Sequence, residues 1–255
     1  MMNTADAPFR LDGKVVLVTG GTRGIGAAIA EEFVAAGARV LLTGRKRADA
    51  EAAAARLGGD AIGFAYESGV EGAPEALARA VLEAVGALDV LVNNAAILKP
   101  HFLTRVSHSE LDELLSVNVK APFFLCNGLH PLLKASGRGA IVTITAAGGH
   151  RPMPGIGAYC ASKAALINFT IAMAKEWAKD GIRVNALTPG SVATDAILPK
   201  DLEKREAFIA EMASQNLLKR LADPREIARA ARFLASDAAS YMTGSIMTVD
   251  AGFLA

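Results

Sequence analysis

The chain has 255 residues, 52% of them hydrophobic, and a formal net charge of +1 from 27 Lys and Arg against 26 Asp and Glu. That length suits one large α/β domain with a two-sided sheet core, and the near-neutral balance argues against a nucleic-acid footprint. No apolar run reaches the ~18 residues of a membrane span, and MMNTADAPFR lacks the apolar core of a secretory signal, so a soluble cytoplasmic protein is expected.

The two cysteines, Cys126 and Cys160, read as reduced core thiols rather than a disulfide framework. His101, His108, His130 and His150 fall at no metal-ligand spacing, so no metal site is expected. Along the chain, β-branched runs alternate with amphipathic ones. VVLVT (15–19) is a buried strand that turns through GGTRGIG into a helix ended by Gly37. RVLLT (39–43) is a second strand, followed by an alanine-rich helix to about Leu57. AIGFAY is a weaker third strand, PEALARAVLEAVG a helix, and DVLVNNA (89–95) a fourth strand. Ser107 and Glu110 form a capping-box pattern that opens a long helix over 107–134. AIVTIT is the fifth strand, a helix covers about 159–179, and IRVNALT is the sixth. Asp223 before Pro224 starts another helix, and SIMTVD is a seventh strand. This alternation predicts a single doubly wound, Rossmann-like parallel sheet over 1–255 with helices on both faces. The charged and irregular stretch at about 191–218 reads as a mobile substrate lid.

TGGTRGIG (19–26) has the context of a phosphate-binding turn, since it leaves a strand and opens a helix. Gly20 permits the sharp turn, Gly24 close approach to a pyrophosphate, and Gly26 close helix packing, with the helix N-terminus supplying N–H donors. Tyr159 and Lys163, in YCASK, lie four apart and share one helix face. A free tyrosine has a pKa of ~10, and a neighbouring ammonium is expected to lower it.

The spacing TGxxxGxG, together with NNAA (93–96), YxxxK and PGSVAT (189–194), resembles the short-chain dehydrogenase/reductase family over nearly the whole chain. The broad likeness is to 3-oxoacyl-carrier-protein reductases and related alcohol dehydrogenases. The resemblance implies hydride transfer between nicotinamide and a carbonyl carbon, with Tyr159 as general acid/base, Lys163 beside it and Asn118 holding a relay water. It also implies cofactor contacts from Gly20, Thr22, Arg23, Gly24, Ile25 and Gly26, from Asn94 and Ala95 at the ribose, and from Tyr159 and Lys163. Glu67 and Ser68 fall at the adenine, and Pro189, Gly190, Val192 and Thr194 at the nicotinamide amide. Family members that prefer NAD usually carry an acid at the position of Gly44. Glycine there, with Arg23 and Arg45 able to pair a 2′-phosphate, predicts NADP(H).

The pattern breaks at one place. The family serine, thirteen residues before the tyrosine, is Ala146. Three readings stay open. Thr145 or His150 substitutes for the serine; a water or the substrate itself supplies the hydrogen bond; or turnover is impaired. The chain would then be a cofactor-binding protein acting as a sensor or oligomer partner. An epimerase or lyase on the same fold is a further alternative. Ile97, Ala146, Ala147, Met153, Ile156, Ser191, Leu198, Phe208 and Met212 are the expected substrate-facing residues. They are mostly apolar and suit a small or medium ketone, alcohol or acyl chain. Arg105, Lys200, Lys204 and Arg205 are candidates for docking a carrier protein. The helices over 107–134 and 159–179 match those that pair subunits in the family's homodimers and homotetramers.

Overall fold

The computed structural model describes residues 4–255. Seven strands, β1 (Val15–Val18), β2 (Arg39–Gly44), β3 (Ile62–Ala65), β4 (Val90–Asn93), β5 (Ala140–Ile144), β6 (Arg183–Pro189) and β7 (Ile246–Val249), form one sheet in the order β3-β2-β1-β4-β5-β6-β7. Every pairing is parallel. Parallel neighbours need crossovers, and the helices that make them cover both faces. On one face α1 (Gly24–Ala35) and α8 (Pro224–Ala235) pack on Val16, Val18, Val92, Val142 and Ile144. On the other, α3 (Ala73–Val85), α5 (Ala121–Ala135) and α6 (Gly157–Trp177) pack on Leu17, Leu91, Ile141 and Val184. The alternation Val16, Leu17, Val18 divides β1 between the two cores, as the two-residue side-chain period of a strand requires. α2 (Arg47–Leu57) lies against β3 at the sheet edge, where Ala50 meets Gly63 so closely that a Cβ there would fall 2.3 Å from the Ala50 backbone.

The expected long helix from 107 is three pieces: α4 (His108–Leu115), a π-helical turn (Ser116–Lys120) and α5. Its start is as the sequence suggests, with Ser107 Oγ accepting the Glu110 N–H and Glu110 accepting the Ser107 N–H. The interruption follows from Pro122. Proline has no N–H for the carbonyl of residue 118, and its ring would crowd that carbonyl in a regular helix. The Ala121 N–H instead donates to the Ser116 carbonyl, five residues back.

The segment expected as an irregular lid contains a regular helix, α7 (Leu202–Ser214), whose first N–H groups are capped by Asp201. The whole excursion is closed at its base, where Val192 bridges to Ala222 and the Ala193 and Ala222 N–H groups donate to the Ala222 and Ser191 carbonyls, each at 2.9 Å. The next residues lock α8. Asp223 accepts the Arg225 N–H, Glu226 accepts the Asp223 N–H, and Arg220 forks onto both Glu226 oxygens at 2.7 Å. Among the described residues no helix is long and apolar enough to cross a membrane.

The Arg220 fork and the cap hold the Glu226 carboxyl down to about 2 from 4.5. Its contribution to stability is therefore present above pH 4.5 and lost as pH falls through about 2. Solvent screens the pair, so Glu226→Gln is expected to cost about 1 kcal/mol at pH 7. In urea melts that difference from wild type should vanish near pH 2; a constant difference across pH would mean that charge is not what the carboxylate contributes.

Candidate active site

In an open parallel sheet, ligands sit beyond the carboxyl ends of the strands where the order reverses, which here is between β1 and β4. That crevice is tightly knotted. The Thr19 hydroxyl, just past β1, accepts the N–H groups of Asn94 (3.0 Å) and Ala95 (3.1 Å). The Asn94 side-chain amide donates back to the Thr19 and Gly20 carbonyls at 2.9 and 3.2 Å. Gly20 (φ +65°) and Gly24 (φ +57°) are left-handed, and a Cβ on Gly26 would lie 2.2 Å from the Gly20 carbonyl oxygen. Arg23 precedes α1 without a side-chain cap, so the first N–H groups of that helix face outward without a side-chain acceptor. Gly24 faces Thr194, whose Cγ2 lies 3.5 Å from the place of a Gly24 Cβ; this brings PGSVAT to the glycine turn. A Cβ on Gly44 would fall 2.6 Å from Thr22 Cγ2, which leaves no room for an acidic side chain without displacing Thr22. Arg23 and Arg45 are exposed, and neither enters an ion pair among the described residues. Glu67 is exposed after β3, and Ser68 lines a small cavity with Thr19, Asn93 and Ala95.

Tyr159 stands in the first turn of α6, and Lys163 one turn on is buried, donating to the Ile144 carbonyl at the end of β5 (2.9 Å). The Lys163 nitrogen lies 5.7 Å from the centre of the Tyr159 ring. The expected depression of the tyrosine is not what the protein's own groups produce. Burial pushes the Tyr159 phenol up to about 12, with the Cys160 thiol adding to the rise, while burial pushes Lys163 down to about 8. Desolvation disfavours both charged forms and outweighs their mutual attraction here.

Asn118 is fully buried on the π-helical turn. Its Oδ1 accepts the Ile97 N–H at 2.8 Å, and its Nδ2 donates to the Ile97 carbonyl (2.9 Å) and to Ser162 Oγ (3.2 Å). Ser162 in turn donates to the Tyr159 carbonyl at 2.7 Å. Both donor hydrogens of the Asn118 amide are thus committed to fixing the Ile97 loop against α6. Its main-chain carbonyl is the group denied a regular helical partner, because residue 122 is proline. Sequence reasoning missed Ser162 and Thr19. Their only signals are a hydroxyl one residue before Lys163 and another at a strand end. It also missed Pro122, whose spacing of four from Asn118 was readable.

Ala146 follows β5 in extended backbone (φ −162°) and leads into a short 3-10 turn, Ala147–Gly149. Thr145 sits across from Thr188, one step beyond the Ile144–Leu187 pair. Its hydroxyl donates to the Leu187 carbonyl at 3.1 Å and meets the Thr188 hydroxyl at 2.7 Å. The Thr188 hydroxyl in turn meets His150 Nε2 at 3.3 Å. The two residues expected to replace the serine, Thr145 and His150, are thus both engaged with Thr188 within the protein. The remaining expected pocket residues are spread over the loops at this edge. Met153 approaches the 3-10 turn at Gly148, Ile156 precedes α6, Leu198 donates its N–H to Thr194, and Ser191 Oγ lies 3.9 Å from Met212 Sδ.

The family model described as enoyl-(acyl-carrier-protein) reductase matches residues 20–254. A 3-oxoacyl-(acyl-carrier-protein) reductase of Vibrio cholerae is 36% identical over 244 residues, covering 96% of this chain and 98% of the relative. Galactitol 2-dehydrogenase (L-tagatose-forming) of Cereibacter sphaeroides is 38% identical over 248 residues, covering 96% of each. Among solved structures, a 3-oxoacyl-(acyl-carrier-protein) reductase of Agrobacterium tumefaciens with NADP bound superposes with a TM-score of 0.92 at 34% identity, covering 98% of both chains. With the seven-stranded parallel sheet, the glycine turn at its switch point and Tyr159 and Lys163 on α6, these matches mean that the chain belongs to the short-chain dehydrogenase/reductase family.

Proposed function

We propose that the chain is an NADP(H)-dependent oxidoreductase that interconverts a carbonyl and a secondary alcohol, with Tyr159 as general acid/base. The observation that carries this reading is the fastening of Lys163, one turn after Tyr159 on α6, to the carboxyl end of β5, at the same sheet edge as the glycine turn. The residues suit a phosphorylated dinucleotide. The glycine turn packs so closely that a Cβ on Gly26 would strike the Gly20 carbonyl, and the uncapped N–H groups at the start of α1 favour an anion. Gly20, Thr22, Gly24, Ile25 and Gly26 would hold the pyrophosphate, and Arg23 and Arg45 a 2′-phosphate beside Gly44. Glu67 and Ser68 would meet the adenine, Asn94, Ala95 and Lys163 the riboses, and Pro189, Gly190, Val192 and Thr194 the nicotinamide amide. When bound, the cofactor supplies or accepts the hydride. The NADP-bound relative supports the choice of cofactor.

The chain's own part is proton transfer and placement. A phenol held near 12 keeps its proton throughout neutral pH, which suits donation to the oxygen of a carbonyl being reduced. Lys163 bears its charge only below about pH 8, and there its ammonium favours the phenolate left behind. Ala146 offers a methyl where a second donor would help, and the Thr145 hydroxyl is engaged with Leu187 and Thr188, so a water or a hydroxyl of the substrate completes the oxygen's hydrogen bonding. The excursion over 191–218, with Ile97, Ala147, Met153, Ile156, Leu198, Phe208 and Met212, would enclose a mostly apolar substrate. Leu111 and Phe124, exposed on α4 and α5, support pairing of those helices in a homodimer or homotetramer. A second reading, cofactor binding without turnover, is favoured by one observation: the missing donor at residue 146 together with the spent hydroxyl at 145.

Carbonyl reduction across a panel of ketones, with NADPH and with NADH, separates these readings. Activity with NADPH that Tyr159→Phe abolishes supports the first; tight NADPH binding without consumption supports the second. Ala146→Ser is expected to raise kcat/KM by about 10-fold or more, given the roughly 10²–10³ cost of losing one such donor. Thr145→Val should leave kcat unchanged and lower stability by about 1–3 kcal/mol through the unpaired hydroxyl of Thr188. Arg45→Ala is expected to weaken NADPH binding about 10-fold, or ~1.4 kcal/mol, with NADH affinity unaltered. The rate of reduction should fall as pH rises through about 8, where Lys163 loses its proton. Lys163→Arg, charged at all accessible pH, should remove that limb from the profile.

A further inference from the structure

The six residues after β7, 250–255, touch three separate segments around the candidate active site. The first is the 3-10 turn that follows Ala146. Arg151 donates from Nη1 to the Phe253 carbonyl at 3.3 Å, and its guanidinium lies 5.3 Å from the centre of the Phe253 ring. The Arg151 N–H also donates to the Ala147 carbonyl, which ties the arginine to the turn itself. The second is the loop after β6. Gly190 lies so close to Asp250 that a Cβ there would be 2.8 Å from the Asp250 Cα, and the Gly190 N–H donates to Val249. The third is the exit of the lid. The Leu217 N–H donates to the Ala251 carbonyl at 2.8 Å, and a Cβ on Gly252 would fall 2.6 Å from the Leu217 side chain.

The backbone marks the same junction. Among the described residues, only two that are not glycine have positive φ: Ala251 (+55°) and Lys219 (+53°). Ala251 accepts from Leu217, and Lys219 lies two residues beyond it. Left-handed backbone is unfavourable for residues with a Cβ and persists only where the surroundings over-determine it, often at clamps and switches. The segment is itself braced, since the Asp250 carboxylate accepts the N–H groups of both Gly252 and Leu254 at 3.0 Å.

We propose that residues 250–255 are a positioning latch that couples the lid (191–218) to the turn carrying Ala147, so that Arg151 governs how firmly α7 is held over the substrate. The functional part of this rests on reading 191–218 as the substrate lid; the mechanical coupling does not. The two anchor points are far apart in sequence, 151 and 217, and both contact the stretch Ala251, Gly252 and Phe253. Arg151 is exposed, so its removal leaves the core intact.

The test is hydrogen exchange followed by mass spectrometry on the full chain, comparing wild type, Arg151→Ala and Arg151→Lys. Arg151→Ala is expected to speed exchange in peptides covering 202–218 about 10-fold, with the sheet strands unchanged and partial recovery in Arg151→Lys. Faster exchange confined to 250–255, or no change anywhere, overturns the latch. On any ketone that the wild type turns over, Arg151→Ala should raise the ketone KM severalfold while the NADPH KM stays constant; an equal loss in both would mean general loosening and overturns the positioning role. The exchange measurement needs no turnover. Coupled exchange in a protein inactive on every ketone would retain the latch and reject the carbonyl reductase reading, whereas activity with uncoupled exchange would do the reverse.

Discussion

The architecture of the site depends on how closely the turn after β1 approaches the end of β4. One hydroxyl, that of Thr19, accepts two successive N–H groups from Asn94 and Ala95, and the Asn94 amide returns two hydrogen bonds to the turn. Buried N–H and C=O groups at a strand end must find partners, and here four of them do so across the switch point rather than within the sheet. That knot leaves no space for a Cβ at Gly26, which is why the turn has to be glycine there, and it holds the start of α1 with its N–H groups facing outward. The proposed phosphate site would thus rest on the same packing that closes the sheet.

The opposite wall is built by a second close fit. Pro122 breaks the regular helix over 107–134, and the π-helical turn that results carries Asn118 into a fully buried position. Its amide then binds both polar groups of Ile97 and the Ser162 hydroxyl, which in turn holds the Tyr159 carbonyl. A loop, a helix interruption and the first turn of α6 are thereby set in register. The main chain at Tyr159 is held by the Ser162 hydroxyl, itself fixed by Asn118.

Much of this was legible in the chain. Alternating apolar runs gave away the parallel sheet because strands buried on both faces have few other compositions, and the caps at Ser107 and Asp223 marked helix starts because unpaired N–H groups demand acceptors. The direction of the Tyr159 shift was not legible. Spacing on a helix reveals which charge is near but not how much water both groups lose, and burial outweighs the pair attraction. Nor could the chain show that Thr145 is spent, since that depends on β5 and β6 pairing in a register that puts Thr145 beside Thr188. The lid looked irregular because its charged and apolar residues lack a clear face, yet Asp201 caps a full helix there.

Ala146 looks different in the light of its neighbours. A missing hydroxyl at a strand end is readily compensated when an adjacent hydroxyl is free to turn, but the two polar neighbours in sequence, Thr145 and His150, both belong to one hydrogen-bonded relay with Thr188 and the Leu187 carbonyl. Breaking that relay to aim Thr145 at a substrate would leave Thr188 buried without an acceptor, a cost comparable to the hydrogen bond gained. Thr145 is therefore not an inexpensive route to a second donor at this edge. On the carbonyl reductase reading proposed above, a mobile donor, water or the substrate itself, would supply the hydrogen bond that Ala146 does not.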